Sequence, residues 1–284
     1  MTRCSQLRRN SGLLQSFIHL MNDFETRNEV MSYHIRHSKN TSSCQWWGTC
    51  VVRQENGTLR IVDPDPLWKC RTPPSTLEDF IGTKRSKLGK YNGTIIFTVC
   101  LLYDTHSVHY VSFVYSNRVL LSFDPGVELY PHGQKTIVPL VHAAFKAHHL
   151  VDSHSIHGAC SDFVFRKKKH GVQFNGMIEN TLPADAFCQS WTLFFLIRML
   201  YLPQRSMEQV RNFLRDWCAI PPTEREYFIT SFFILPTLTY FPKINQRYLT
   251  MLPPGHTKLE AMEQIFAPLE QCFFPRRRKT QNHP

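Results

Sequence analysis

His109, Asp124 and Cys188 are the residues of this chain whose types and order suit a chemical step. A carboxylate can orient an imidazole and stabilise its charge, and the imidazole can then take the proton of a thiol that acts as nucleophile. The stretch His109-Tyr-Val-Ser-Phe-Val-Tyr-Ser-Asn-Arg-Val-Leu-Leu-Ser-Phe-Asp124 holds two β-rich runs on either side of Ser116-Asn117, a pair able to make a tight hairpin turn. With those residues as the loop, Tyr115 faces Arg118, and antiparallel register carried outward sets His109 opposite Asp124. Directly opposed residues have Cβ atoms about 5 Å apart. His106 competes as the base, but it falls in the loop before the strand and meets no acid in this register.

Cys188 lies in Leu182-Pro-Ala-Asp-Ala-Phe-Cys188-Gln-Ser-Trp-Thr-Leu-Phe-Phe-Leu, which predicts a helix starting near Asp185, with Asp185 as N-cap. A thiol in the first turn of a helix lies near the positive end of the dipole, which favours thiolate. The negative charge of Asp185 opposes this, so a protonated His109 is needed to tip the balance. The helix is apolar on nearly every face and is therefore expected to be buried. Trp191, and Trp46 with Trp47, are read as core packing rather than cleft walls.

The order and motifs resemble the adenain and SUMO-deconjugating (ubiquitin-like protease) group of cysteine proteases, particularly its divergent members in large DNA viruses. The residues that carry the resemblance are His109-Tyr110, Phe123-Asp124-Pro125 and Phe187-Cys188-Gln-Ser-Trp191, over roughly residues 94 to 201. Papain-type proteases place Cys before His instead. The resemblance implies an α+β fold with a central mixed sheet flanked by helices, and a buried helix opening at the catalytic Cys. It implies a thiol endopeptidase that needs no cofactor and cuts protein substrates after glycine. These are either viral precursors, processed by a maturation protease, or ubiquitin-like conjugates of the host. It also implies an oxyanion-binding Gln shortly before the Cys. Position 182, where that Gln would fall, is Leu, so Gln173 is the nearest upstream candidate, with Gln189 and the Cys188 backbone amide as alternatives.

At 284 residues and 42% hydrophobic, the chain can bury a large core without staples. Nine cysteines without regular spacing do not form a secreted disulfide framework, which points to an intracellular setting, and the resemblance implies a virion or host-cell cytoplasm or nucleus. No apolar stretch approaches the roughly 18 residues of a membrane span. Phosphate-loop and dinucleotide glycine signatures are absent. His154, His157 and Cys160 invite a zinc reading, but their spacing fits no finger pattern, and no metal is expected. A net charge of +11 is gathered around Lys84-Arg85, Lys167-Lys168-Lys169 and Arg276-Arg277-Arg278. Such clusters suit non-specific DNA or RNA, or else are solvated loops and a tail.

The organisation expected is an accessory segment over residues 1–93, a protease core over 94–272 and a basic tail over 273–284. Within the first segment, Trp46-Trp47-Gly48, Asp63-Pro-Asp-Pro and Arg71-Thr-Pro-Pro mark loops between short strands. From Thr94 to Tyr103 a continuous apolar run predicts a strand buried on both faces. Helices are predicted near 136–149, after Cys188, after Ser206 and Thr223, whose Ser/Thr-x-x-Glu/Gln spacing is that of capping boxes, and over 257–270. A non-catalytic protein that keeps a protease-like fold for virion or nucleic-acid interaction is the alternative from another class.

Overall fold

The computed structural model describes residues 20–38, 44–64, 75–88, 93–102, 108–125, 137–152, 156–158 and 188–202, with isolated positions from 212 to 255. Two compact units are formed, Met21–Pro222 and the combination of Met1–Leu20 with Thr223–Pro284. In the second of these, Phe232 and Phe233 meet edge to face and Ile229 is buried. The helices predicted after Ser206 and Thr223 and over 257–270 fall almost wholly outside the described residues.

The larger unit is α+β. Its elements in chain order are α1 (Phe24–His37), β1 (Cys44–Glu55), β2 (Thr58–Pro64), α2 (Leu77–Leu88), β3 (Thr94–Leu102), β4 (Val108–Ser116), β5 (Val119–Phe123), α3 (Val138–Ala147), β6 (Ile156–Gly158) and α4 (Cys188–Tyr201). The strands form one sheet in the order β2-β1-β3-β4-β5-β6. β1 runs parallel to β3 and β5 parallel to β6, and the other pairs are antiparallel, so the sheet is mixed. β1 and β2 come from the segment before residue 94, which therefore supplies strands to the sheet that carries His109.

β3 is the centre of the sheet and is buried along all but its last residue, as its unbroken apolar run requires. Strand alternation then sorts the core into two faces. Ile95, Phe97, Val99 and Leu101 of β3, with Val111, Phe113 and Tyr115 of β4, meet Phe80 and Ile81 of α2 and Val141 and Phe145 of α3. Phe97 stacks on Phe113 at 5.0 Å and on Phe145 at 6.1 Å. The opposite face receives α1 and α4. There Phe123 stacks on Phe195 at 4.4 Å, and Cys100 and Tyr110 pack on Cys188. An aromatic pair of this kind is worth about 0.5–1.5 kcal/mol beyond its burial.

One hairpin and one strand differ from the sequence reading. β4 and β5 are joined through Asn117-Arg118, not Ser116-Asn117, because Ser116 pairs with Val119 and Tyr115 with Leu120. Asn117 and Arg118 both have left-handed backbone (φ 49° and 64°), the requirement of the mirror-image turn that matches strand twist. Asn tolerates that conformation well; Arg118 is held in it by hydrogen bonds to Asp152 Oδ1 at 2.8 Å and to the His149 carbonyl at 3.2 Å. The second difference is at Trp46-Trp47-Gly48, which is a bulge inside β1 and not a loop between strands. Trp46 pairs with Ile96 and Thr49 with Thr98, so Trp47 and Gly48 share the place opposite Phe97. Gly48 takes φ 87°, and the bulge turns Trp47 onto Phe80 and Phe97. Among the described residues no helix is long and apolar enough to cross a membrane.

Candidate active site

The corrected hairpin moves every cross-strand pair by two positions, an even shift that leaves all side chains on their faces. The last pair of the ladder is Ser112 with Phe123, and Asp124 follows immediately. Asp124 is therefore diagonal to His109 and not directly opposite it. Diagonal neighbours stay within reach of long side chains. His109 Nε2 lies 2.7 Å from Asp124 Oδ1, a short charge-assisted hydrogen bond between side chains that are each 3% exposed.

Cys188 is the first residue of α4 and is 6% exposed. Its thiol packs against Tyr110, the neighbour of His109 on β4, and stands close enough to the His109 imidazole to help raise its pKa. With Nε2 taken by Asp124, Nδ1 is the ring nitrogen left for the thiol. Burial pulls the charged imidazole down, but the charge and hydrogen bond of Asp124, and then those of Cys188, outweigh it and hold the His109 pKa at about 10. The ring is thus an imidazolium at neutral pH. α4 is buried at every position except Arg198 and Tyr201, so Cys188 stands on a rigid mount, as an all-apolar helix predicts.

Gln189, the next residue, is 1% exposed. Its Oε1 accepts from the Cys188 thiol at 3.7 Å, while its Nε2 is buried with no hydrogen-bond partner among the described residues. An orphaned buried amide costs about 1–3 kcal/mol, so its place beside a thiol is a feature to explain. Gln173, the first candidate for an oxyanion donor, lies outside the described residues, as do Leu182, Asp185 and His106.

Cys100 and Tyr110 are direct partners across β3 and β4. Burial pushes the Cys100 thiol up to about 12, opposed by its hydrogen bond with Tyr110 and by Arg27 and reinforced by Cys188. Arg27 was not singled out in the sequence, although it is fully buried beneath the site. Asp23 caps α1 by accepting from the Thr26 amide at 2.8 Å, and an Asp ahead of an amphipathic run was the signal available for this helix. Nothing in the sequence marks Arg27 itself as an inward-facing residue.

The other candidates are dispersed. Lys84 lies over the Phe80 ring at 5.5 Å on α2, and Arg85 is exposed beside it. Lys167, Lys168, Lys169, Arg276, Arg277 and Arg278 lie outside the described residues. So do His154 and Cys160, and His157 is described only as backbone of β6. Trp191 is fully buried, as read from its apolar setting, whereas Trp46 donates its indole N–H to Asn28 at 2.6 Å.

Comparison with protein-family models gives no match. Comparison with curated proteins gives none either. The class defined by fold and site is therefore an α+β chain with a buried Cys-His-Asp constellation.

Proposed function

We propose that this chain is a thiol endopeptidase of the adenain-like kind. The observation that carries the reading is the 2.7 Å bond from His109 Nε2 to Asp124, with Cys188 close beside the same imidazole. In this reading the sulfur of Cys188, standing beside the already protonated His109, attacks the scissile carbonyl carbon. The carbonyl π electrons move to the oxygen, giving a tetrahedral oxyanion. Its collapse expels the amine, which takes the proton from His109, and leaves an acyl-enzyme thioester. Water then gives a proton to the neutral His109 as its oxygen attacks the thioester, which releases the acid and returns the sulfur to its place beside protonated His109. Asp124 holds the ring and its charge throughout. Gln189, whose Nε2 has no other partner among the described residues, donates to the oxyanion together with the Cys188 amide, and Gln173 is the other candidate for that donor.

The substrate is a protein cut after glycine, and a virus-encoded enzyme that matures precursor proteins is the specific form favoured. A deconjugase of ubiquitin or SUMO uses the same groups. A non-catalytic interaction protein is favoured by one observation, the near-complete burial of the Cys188 thiol at 6% exposure. Electrophilic probes ending in ubiquitin, SUMO or a short Gly-Gly peptide separate these readings. Labelling by the peptide probe alone supports precursor processing, and labelling by a conjugate probe supports deconjugation. No labelling of Cys188 by any of them, with Cys188→Ala as blank, removes the enzyme reading.

A further inference from the structure

Arg27 of α1 is fully buried, and its guanidinium is spread among separate parts of the fold. Nε donates to Thr49 Oγ1 of β1 at 3.0 Å, and Nη2 to Thr98 Oγ1 of β3 at 3.3 Å. Nη1 donates to the Met21 carbonyl at 3.3 Å and to the Gln189 carbonyl at 3.2 Å. The guanidinium carbon stands 4.8 Å from the centre of the Tyr110 ring. These contacts converge on the site from behind. Gln189 follows Cys188 in the first turn of α4, Tyr110 follows His109 on β4, and Thr98 lies two positions before Cys100 on β3.

A buried guanidinium is costly to desolvate, and a well-packed apolar side chain would fill the same volume with equal or greater stability. Its planar fork does what an apolar group cannot, which is to fix directions to several acceptors at once. Here the acceptors belong to the helix that mounts the nucleophile and to strands of the sheet that mounts the base. We infer that Arg27 is a positioning residue, whose guanidinium sets where the first turn of α4, and so the Cys188 thiol, stands against His109. The inference rests on the reading of Cys188 and His109 as a catalytic pair. It also makes α1 part of the working site.

The test is the rate at which iodoacetamide alkylates Cys188 in the full-length chain, resolved by peptide mass spectrometry from about pH 5 to about pH 10, a span that brackets free imidazole and thiol. Wild type and His109→Ala set the two limits. Arg27→Met, still folded by its thermal melt, is expected to lose about ten-fold or more of the neutral-pH rate, with its profile moving toward that of His109→Ala, since misplacement by about 1 Å can cost about 10²-fold. Arg27→Lys keeps the charge without the fork and is expected to recover only part of the loss. Thr98→Val, a change that a strand accepts, removes one acceptor and is expected to give a smaller loss in the same direction. A folded Arg27→Met with a profile within about two-fold of wild type overturns the inference, as does full recovery in Arg27→Lys. Should Arg27→Met not fold, unchanged profiles in Arg27→Lys and Thr98→Val overturn it equally. If wild type and His109→Ala label alike, the catalytic pair itself fails and the inference falls with it. If they differ while the Arg27 and Thr98 variants follow wild type, only the role of Arg27 is lost.

Discussion

Asp124 stands diagonal to His109, just past the last ladder pair of β5, and its Oδ1 still reaches His109 Nε2 at 2.7 Å. The diagonal placement means that backbone pairing does not impose the contact; the two side chains make it. Asp124→Asn keeps the shape but removes the charge that outweighs the burial of the imidazole. Turnover of a Gly-Gly peptide substrate is expected to fall by about 10² to 10⁴. The His109 pKa, followed by NMR, is expected to drop from about 10. An unchanged titration would remove Asp124 from the site.

Cys100 and Cys188 belong to one buried cluster with Tyr110, yet their surroundings differ. Burial holds the Cys100 thiol at about 12, so it stays protonated and unreactive near neutral pH. Cys188 faces the His109 imidazolium, a neighbour that favours nucleophilic sulfur. Brief, limiting iodoacetamide is expected to modify Cys188 well before Cys100, read by peptide mass spectrometry. Faster labelling at Cys100 would count against the Cys188 assignment.

The side-chain amide of Gln189 is buried beside the sulfur, with its Oε1 3.7 Å from the thiol. Gln189→Glu keeps its size and replaces Nε2 by an acceptor, and Gln189→Ala deletes it. Both are expected to lower kcat by about 10² or more, a loss of roughly 3 kcal/mol, with smaller change in KM. Gln173→Ala assayed alongside assigns the oxyanion donor. If Gln189 variants keep wild-type kcat and Gln173→Ala does not, the donor is Gln173.

Stability is expected to fall on both sides of neutrality, for separate reasons. The folded His109 pKa is raised to about 10 from the model-peptide 6.5, so its contribution is full below 6.5 and is lost as pH rises toward 10. His142 on α3 is 6% exposed, and burial lowers its pKa to about 4. Its contribution is present above 6.5 and is lost as pH falls through 4. Denaturant midpoints across pH are expected to show the alkaline loss reduced in His109→Gln and the acid loss reduced in His142→Gln. A wild-type midpoint that stays flat from neutrality to pH 10 would contradict the His109 shift.

The basic positions on α2 offer a test of the nucleic-acid partner. Arg85 is exposed, so Arg85→Ala is expected to weaken non-specific DNA binding and to reduce its salt slope by about 1. An unchanged slope would take α2 out of any such interface.

Composition and local pattern were enough for several elements, because burial on both faces leaves its mark in every residue of a strand or helix. The run Thr94-Ile-Ile-Phe-Thr-Val-Cys-Leu-Leu102 became the central strand, and the apolar run from Cys188 became a buried helix. The span predicted as 136–149 became α3 over Val138–Ala147. Alternation put His109 and Asp124 on one face whichever loop was chosen, since the two registers differ by an even step. The loop itself was not legible, because Arg118 adopts left-handed backbone only with Asp152 and the His149 carbonyl to hold it, and both are distant in sequence. The Asn56-Gly57 pair carries a strong local hairpin signal, and both residues take left-handed backbone (φ 48° and 77°) in the turn between β1 and β2. Tertiary structure alone decided the pairing of β1 with β3, a parallel contact with no short-range signature. It alone decided the burial of Arg27 as well. An arginine in an amphipathic helix is ordinarily solvated, and what turns this one inward is a set of acceptors on β1, β3 and α4 that come together only when the sheet and its helices have assembled.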